Sequence, residues 1–266
     1  MRYSIILMAA ATTAMMAATP AESVGNDTLS DARIQEIIQK FAEKETEFAK
    51  VRQMYTYRQT SKLQEYNDDG SPGGKWEMVT DVVFSSDGKR AEHVVRAPVG
   101  SLKRIQMDPG DEQDLRTTQP FVLTTTDLPG YFINYLGREK IDEIGCYVFA
   151  IKPKKLEPNK RYFIGQIWVD DRDLQIVKTF GRGTGAQKRG SDFQYPKFET
   201  YREQIDGKYW FPTYTIASDV LQFKDETVRI KETVRYEDYK QFKAESTIKY
   251  DEEPPKPITP PVKKQQ

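Results

Sequence analysis

Hydrophobic and polar residues alternate through the middle of this chain, most clearly between Arg161 and Gly183. Trp168 falls on one face of this stretch, and residues with a period of two share the other: Phe163, Gly165, Ile167 and Val169. Such alternation, rich in β-branched and aromatic residues, is typical of a β-hairpin in a sheet with one core face. Beyond an acidic turn at residues 170–173, the same period predicts that Phe180 shares a face with Ile176.

Similar alternation recurs along most of the chain, between turn signals rich in Gly, Pro, Asn and Asp. We therefore predict about ten or eleven strands in one large antiparallel sheet, curled or barrel-like, and a mainly β (α+β) fold. Pro98 is expected to end the third strand. Besides the hairpin at Arg161–Gly183, the predicted strands are Met54–Thr60, Trp76–Phe84, Lys89–Ala97, Arg138–Ile144, Tyr147–Lys152, Phe198–Ile205, Tyr209–Ala217, Val220–Lys224 and Thr227–Tyr239.

An amphipathic helix is predicted ahead of the strands. Ser30 is a suitable N-cap, and Asp31 places a negative charge in the first turn, where the helix dipole favours it. The helix is expected to continue to about Ala49, to lay its apolar stripe on the sheet and to carry its charged residues on the other face. The stripe consists of Ile34, Ile37, Ile38, Phe41 and Phe48.

A second helical segment is predicted within the almost uncharged stretch from Thr118 to Leu136. Thr126 or Asp127 is a suitable cap for a short helix. This helix is expected to act as a lid on apolar surface, and its apolar residues are Leu128, Tyr131, Phe132, Tyr135 and Leu136. Residues 98–118, which precede it, are interpreted as charged and irregular.

Composition narrows the class of protein. A chain of 266 residues with 38% hydrophobic and 30% charged residues is compatible with a soluble protein that has a sizeable core. Lys and Arg number 40, as do Asp and Glu, which argues against a nucleic-acid partner bound through a basic surface. Cys146 is the only cysteine, so no internal disulfide is possible. We interpret it as a buried apolar residue in a strand.

The two ends of the chain differ in composition from the rest. Residues 1–21 have one Arg followed by an apolar, Ala-rich run, and they predict a secretory signal peptide cleaved after Ala18 or Ala21. A membrane anchor is the weaker alternative. No Cys near the cleavage site is available for a lipid anchor, so a periplasmic location is expected. Residues 22–29 are a predicted linker. The Pro-rich residues 251–266 predict a disordered tail, either free or docking a partner.

Residues that support catalysis or metal binding are scarce. His93 is the only histidine, and a Gly-x-Ser-x-Gly motif is absent. One Cys and one His cannot complete a typical zinc site. Asp170, Asp171 and Asp173 are interpreted as turn-forming. We therefore predict no catalytic residue, metal or cofactor, and no enzyme.

The run GRGTGAQKRG at residues 181–190 lacks the features of a phosphate-binding P-loop. It is interpreted as a flexible basic hairpin loop. A weaker hypothesis is that Arg182, Lys188 and Arg189 contact an anionic partner, such as a lipid headgroup.

Aromatic residues are abundant, with 15 Tyr, 13 Phe and 3 Trp. Either they fill the core, or one apolar face of a curled sheet encloses a cavity for an acyl chain. The residues predicted to line such a cavity are Trp76, Phe121, Leu128, Tyr131, Phe132, Trp168 and Trp210.

Several segments resemble the LolA/LolB-like superfamily of outer-membrane lipoprotein-sorting carriers. They are LPGYFINYLGREKIDEIGCYVFAIKPK, GQIWVDDRDLQIVK, and IDGKYWFPTYTIAS followed by VRYEDYKQF. The resemblance covers roughly Ser30 to Tyr250 and implies one domain over residues 30–250, an open half-barrel with a helical lid. It also implies a periplasmic protein that binds lipid or lipoprotein acyl chains.

Three functions remain open at this point. The first is a periplasmic lipid-binding carrier. The second is a sensory or scaffolding protein of the envelope with the same fold, no transport role and a protein partner that docks on the Pro-rich tail. The third and least supported is a secreted hydrolase that depends on His93.

Overall fold

Ten strands and one long helix make up most of the structure, a computed structural model that describes residues 29–85, 88–186 and 194–241. The predicted signal peptide, the Pro-rich tail, Lys188 and Arg189 lie outside the described residues. In chain order the elements are α1 (Asp31–Arg52), β1 (Tyr55–Tyr66), β2 (Pro72–Phe84), β3 (Arg90–Gly100), α2 (Pro109–Gln113), a π-helical turn (Asp114–Thr118), a 3-10 turn (Leu128–Gly130), β4 (Tyr131–Ile141), β5 (Ile144–Pro153), β6 (Arg161–Asp170), β7 (Ile176–Gly185), β8 (Phe198–Ile205), β9 (Tyr209–Gln222) and β10 (Thr227–Gln241).

All ten strands belong to one antiparallel sheet in the order β3-β2-β1-β10-β9-β8-β7-β6-β5-β4. The pairing of β1 with β10 joins the antiparallel strands β1–β3 to the last described strand. Strands β3 and β4 form the two edges, so the sheet is curled but not closed. The predicted mainly β fold with a single large antiparallel sheet is therefore confirmed.

Helix α1 covers part of one face of this sheet, which we call the helix face. Ser30 caps the helix as predicted, since its hydroxyl accepts a hydrogen bond from the backbone N–H of Arg33 at 3.3 Å. The predicted apolar stripe is packed against the sheet, with the rings of Phe41 and Phe149 5.5 Å apart. The helix ends at Arg52, slightly beyond the predicted end.

The apolar stripe of α1 contains one charged residue, contrary to the expectation that all charges face away from the sheet. Glu45 is fully buried and pairs with Arg202 of β8, whose Nη1 lies 3.0 Å from the glutamate Oε1. The backbone N–H of Ile176 donates to the same oxygen at 3.2 Å. Arg202 also donates to the backbone carbonyl of Phe121. The pair therefore ties the helix to two strands and to the loop before β4.

The predicted helix after Thr126 or Asp127 is wrong. Only Leu128–Gly130 is helical, as a single 3-10 turn, and Tyr131 already pairs with Pro153 as the start of β4. Apolar residues occupy both faces of this edge strand, so the same residues fit helical spacing and an extended strand equally well. Pairing with β5 stabilises the extended conformation of this segment.

Helical structure instead occupies residues 109–118, which were interpreted as irregular. Asp108 and Asp111 form a reciprocal capping box, in which each carboxylate accepts the backbone N–H of the other residue at 2.8–2.9 Å. Pro109 fits the first turn, where its missing N–H costs nothing. The helical segment between β3 and β4 therefore lies earlier in the chain than predicted.

Two strand details also differ from expectation. Trp168 pairs with Lys178 while Val169 pairs with Ile176, so a β-bulge interrupts the period of two in β7. Phe180 consequently lies on the face opposite Ile176, and its predicted face is wrong. Strand β3 continues past residue 98 to Gly100, because an edge strand tolerates a proline that donates no hydrogen bond to a neighbour.

Within the described residues, every helix is too short or too polar to cross a membrane.

We predict that Arg202→Met destabilises the protein by about 3–5 kcal/mol, because it leaves the buried Glu45 carboxylate without its cation. Urea unfolding followed by circular dichroism measures this loss. Glu36→Gln on the exposed side of α1 removes surface pairs with Arg33 and Lys40 and serves as the control, with a change of less than about 1 kcal/mol expected. Equal stability of the two variants would show that the buried pair contributes no more to the free energy of unfolding than a surface pair.

Candidate functional site

The seven residues predicted to line one cavity lie on both faces of the sheet. Trp76, Phe121 and Tyr131 are buried on the helix face, and Leu128 packs against the apolar cluster that contains the last two. Phe121 stacks on Phe163 with their ring centroids 4.7 Å apart. These residues belong to the apolar clusters of that face, and Phe121 and Tyr131 also line a small pocket there.

The other three lie on the opposite face. Phe132 is 55% exposed. The indole N–H of Trp168 donates to Glu139 at 2.7 Å, and that of Trp210 donates to Asp173 at 3.0 Å. The structure therefore does not bring the seven residues together around one space.

The basic loop after β7 is described only in part. Arg182 is exposed on β7, while Lys188 and Arg189 lie outside the described residues. The hypothesis of an anionic partner there stays a prediction.

A cavity of about 450 Å³ lies on the helix face of β1, β9 and β10, and none of the seven predicted residues lines it, although Trp76 pairs with the lining residue Leu63. Residues 103–119, which we call the strap, cross over it and include α2 and the π-helical turn. The apolar part of the lining comes from both the sheet and the strap and includes Leu63, Ile105, Met107, Phe198, Leu221, Phe223 and Ile230.

A buried carboxylate holds the start of the strap against the sheet. Glu65 of β1 accepts the backbone N–H groups of Lys103, Arg104 and Ile105 at 2.9–3.1 Å. Hydrogen bonds to an ionised acceptor are roughly twice as strong as neutral ones. Gly74 permits this close approach, because a Cβ at that position would lie 2.6 Å from a Glu65 oxygen. Residues 103–105, where the strap begins, are therefore held against β1.

Arg104 also holds the start of the strap against the sheet. Its guanidinium contacts Glu226 at 2.8 Å and Asp68 at 3.0 Å, and it donates to the carbonyl of Thr227 at 2.7 Å. Arg104 is the one basic residue among the described residues that line the cavity. Its charge is already balanced by the two carboxylates.

A second ion pair holds the far end of the strap. Asp114 accepts from Arg161 Nε at 2.9 Å and from the hydroxyl of Thr118 at 2.7 Å. Gly183 leaves room for this pair, since a Cβ there would lie 2.6 Å from an Arg161 nitrogen. The Arg161 guanidinium also lies 3.8 Å from the centre of the Tyr195 ring. The strap is thus fixed at both ends.

The inner end of the cavity is polar and acidic. Glu232 projects from β10 and is only 9% exposed. It accepts a hydrogen bond from the side-chain amide of Gln119, whose own Oε1 is buried without a hydrogen-bond partner. Burial raises the pKa of Glu232 to about 7 and that of Asp111 to about 6. Asp108 and Asp114 complete the acidic lining.

The sequence carries a signal for Glu232, which is not among the residues predicted to line a cavity. Period two in VRIKETVRY places this glutamate in a row of apolar residues, Val228, Ile230, Val234 and Tyr236, all of which are buried. A single acid in such a row is a marker of a functional site, because burying a carboxylate is costly. The strap offered no comparable signal, since its position depends on contacts with Glu65 and Arg161.

The remaining reactive residues do not form a site. His93 is exposed on the edge strand β3. Cys146 is buried as predicted, and burial raises the pKa of its thiol to about 12. Asp170 accepts the backbone N–H of Arg172 at 2.7 Å, which confirms its turn-forming role. Across residues 29–85, 88–186 and 194–241, no group of three or more His, Cys, Asp or Glu residues is arranged to hold a metal ion.

No family model and no curated protein matches the chain. Solved structures similar to it include a LolA superfamily protein from Nitrosomonas europaea, with 14% identity, coverage of 79% of this chain and 93% of that chain, and a TM-score of 0.33. A DUF1329 family protein from Desulfovibrio piger has 13% identity, coverage of 74% and 90%, and a TM-score of 0.34. A chain of the MucA/MucB complex from Pseudomonas aeruginosa has 11% identity, coverage of 77% and 94%, and a TM-score of 0.22.

A solved structure of the superfamily that the sequence resembles is thus among those similar to this chain, at low sequence identity and a low TM-score. The likeness concerns the fold alone.

We predict that Glu232 makes the protein less stable as pH rises. Its pKa is 4.5 ordinarily and about 7 in the folded protein. The folded state therefore holds the proton longer, and the free energy of unfolding falls between these two pH values. Glu232→Gln should be more stable than the wild type by about 3 kcal/mol at pH 8 and equal to it near pH 4.

Denaturant unfolding at several pH values measures this difference. Glu237→Gln, at an exposed position on the same strand, is the matched control and should leave the pH profile unchanged. A pH profile of Glu232→Gln identical to that of the wild type would show that this carboxyl group titrates normally.

Proposed function

We propose that this protein binds the apolar chain of a lipid or lipoprotein in the cavity beneath the strap. The observation that carries the proposal is the cavity itself, which has a volume of about 450 Å³. Pockets for small ligands usually measure about 300–1,000 Å³ and are mainly apolar with a few convergent polar groups. The sheet and strap supply the apolar wall, and Gln119 and Glu232 supply the polar end.

The cavity also has a route to solvent. It extends from Glu232 and Gln119, which are buried, to Gln106 and Pro109, which are exposed. A chain-like ligand entering at the exposed end would run along Ile105 and Met107 towards the buried end. The strap therefore serves as the cover of the site, the role expected of a lid.

Movement of the strap is compatible with a stable sheet. Its helices are short, with five residues in α2 and five in the π-helical turn. Short helices contribute little stability of their own. The hydrogen bonds and ion pairs that hold the strap to the sheet involve residues 103–105 and 114–119, so the middle of the strap can open while the sheet keeps its pairing. We infer that ligand exchange involves residues 106–113.

The proposed location is the periplasm, after removal of residues 1–21 as a signal peptide. Support comes from the composition of this segment, with one Arg before an Ala-rich apolar run. Mass spectrometry of protein from an envelope fraction tests the location. A mature mass corresponding to cleavage after Ala18 or Ala21 supports it, and an intact N-terminus contradicts it.

We predict that Met107→Trp blocks the cavity, because the larger ring occupies space between the strap and the sheet. Affinity for the neutral probe N-phenyl-1-naphthylamine should fall by about tenfold or more, measured by fluorescence titration. Ile105→Trp is a second filling variant, and thermal melts identify any variant that fails to fold.

Phe132→Asp is the matched control, because Phe132 is exposed on the opposite face and should leave probe binding unchanged. A loss of binding in this variant would instead support the residues predicted from the sequence. Wild-type protein that binds no apolar probe and carries no lipid after purification would refute the proposed function.

A second candidate function is an envelope interaction protein with no transport role. Phe132 and Leu136 favour it, since they are 55% and 52% exposed along the edge strand β4. Large exposed apolar residues at a sheet edge suit a protein partner. The Pro-rich residues 251–266 are the other proposed docking element.

Deletion of residues 251–266 tests this candidate in a pull-down from envelope extract. Loss of a reproducible partner is expected if the tail docks it. An unchanged set of partners would count against the tail.

A further inference from the structure

At the inner end of the cavity, one buried hydrogen-bond acceptor has no donor, and the buried carboxylate beside it has a single one. Gln119 is only 3% exposed, and its Oε1 is buried without a hydrogen-bond partner. Glu232 receives one hydrogen bond among the described residues, from the amide nitrogen of Gln119. A carboxylate has room for several donors. Both acceptors line the cavity, so a ligand that reaches its inner end meets them.

Neighbouring charged groups do not satisfy these acceptors. Arg161 is engaged by Asp114, and Arg104 by Glu226 and Asp68. The neighbours of Glu232 on the adjacent strands are Leu63 and Ala217, which have no polar side chain. The inner end of the cavity is therefore acidic and rich in acceptors, and the one basic residue of the described lining, Arg104, is already paired with carboxylates.

We propose that the cavity selects an amphiphile with a positively charged, hydrogen-bond-donating head group, such as a primary ammonium on an apolar chain. This inference rests on the proposed function, since it names the ligand class for the same cavity. The ammonium would donate to Glu232 and to Gln119 Oε1, and the chain would run along Met107 and Ile105 towards the exposed end.

A fatty acid fits this site less well. Its carboxylate would lie beside Glu232, and like charges in a buried site repel each other. It would also offer Gln119 Oε1 no donor when ionised. An ammonium group can donate to both Glu232 and Gln119 Oε1. These charge-assisted hydrogen bonds would replace an uncompensated buried carboxylate and an unpartnered buried oxygen.

The titration of Glu232 supports the same view. Burial raises its pKa to about 7, as expected for a carboxyl group that no cation compensates. Ammonium binding would stabilise the ionised form and lower this pKa.

Isothermal titration calorimetry with three probes of equal chain length tests the inference: decylammonium, decanoate and decanol. The measurement uses the full mature chain at pH 8, below the micelle concentrations of the probes. Decylammonium is expected to bind about tenfold more tightly than decanoate. Glu232→Gln should abolish this preference while decanol binding persists, and Glu237→Gln should retain it.

The outcomes separate the two proposals. Decanoate binding as tightly as decylammonium, or more tightly, overturns the head-group inference and leaves the proposed function intact. A preference that survives in Glu232→Gln also overturns it, because the selecting charge then lies elsewhere. Binding of none of the three probes refutes the apolar cavity as a ligand site, and with it both proposals.

Discussion

The buried ion pair between Glu45 and Arg202 is the contact on which the covered face of the sheet depends. An open sheet with two free edges cannot enclose its own core, so something outside it must cover the apolar face. Helix α1 does this for one half, and the pair fixes it to β8, to the N–H of Ile176 and to the carbonyl of Phe121. Because both charges are satisfied by several bonds, their burial is compatible with a stable core.

Three buried glutamates on the helix face differ in how well their charge is compensated. Glu45 has a guanidinium partner, and Glu65 has three backbone N–H groups. Glu232 has a single amide. The first two fix covering segments over the sheet, whereas the third leaves an unfavourable charge next to a cavity. Residues whose burial lowers stability without fixing a segment of the fold are concentrated at binding sites. This contrast distinguishes the scaffold from the candidate site.

Local periodicity predicted the scaffold well, because strands and α1 are each defined by which residues face the core. It failed at Tyr131, where apolar residues on both faces of an edge strand also fit helical spacing. It failed at Phe180, because a bulge shifts the period without changing the composition. The cavity depends on contacts between Glu65 and residues about 40 positions later, which no local pattern encodes. Of the candidate site, only Glu232 could be predicted from the sequence, because it is an acidic residue in a row of apolar residues.

The chemistry of Cys146 has a practical consequence for measuring how the strap moves. It is the only thiol in the chain, it is buried, and its pKa of about 12 keeps it protonated at neutral pH. Thiol-reactive labels attack the thiolate, so they would spare this residue in the folded protein. A cysteine introduced at an exposed position such as Gln106 would therefore carry a spin label or fluorophore selectively, with the native residue left in place.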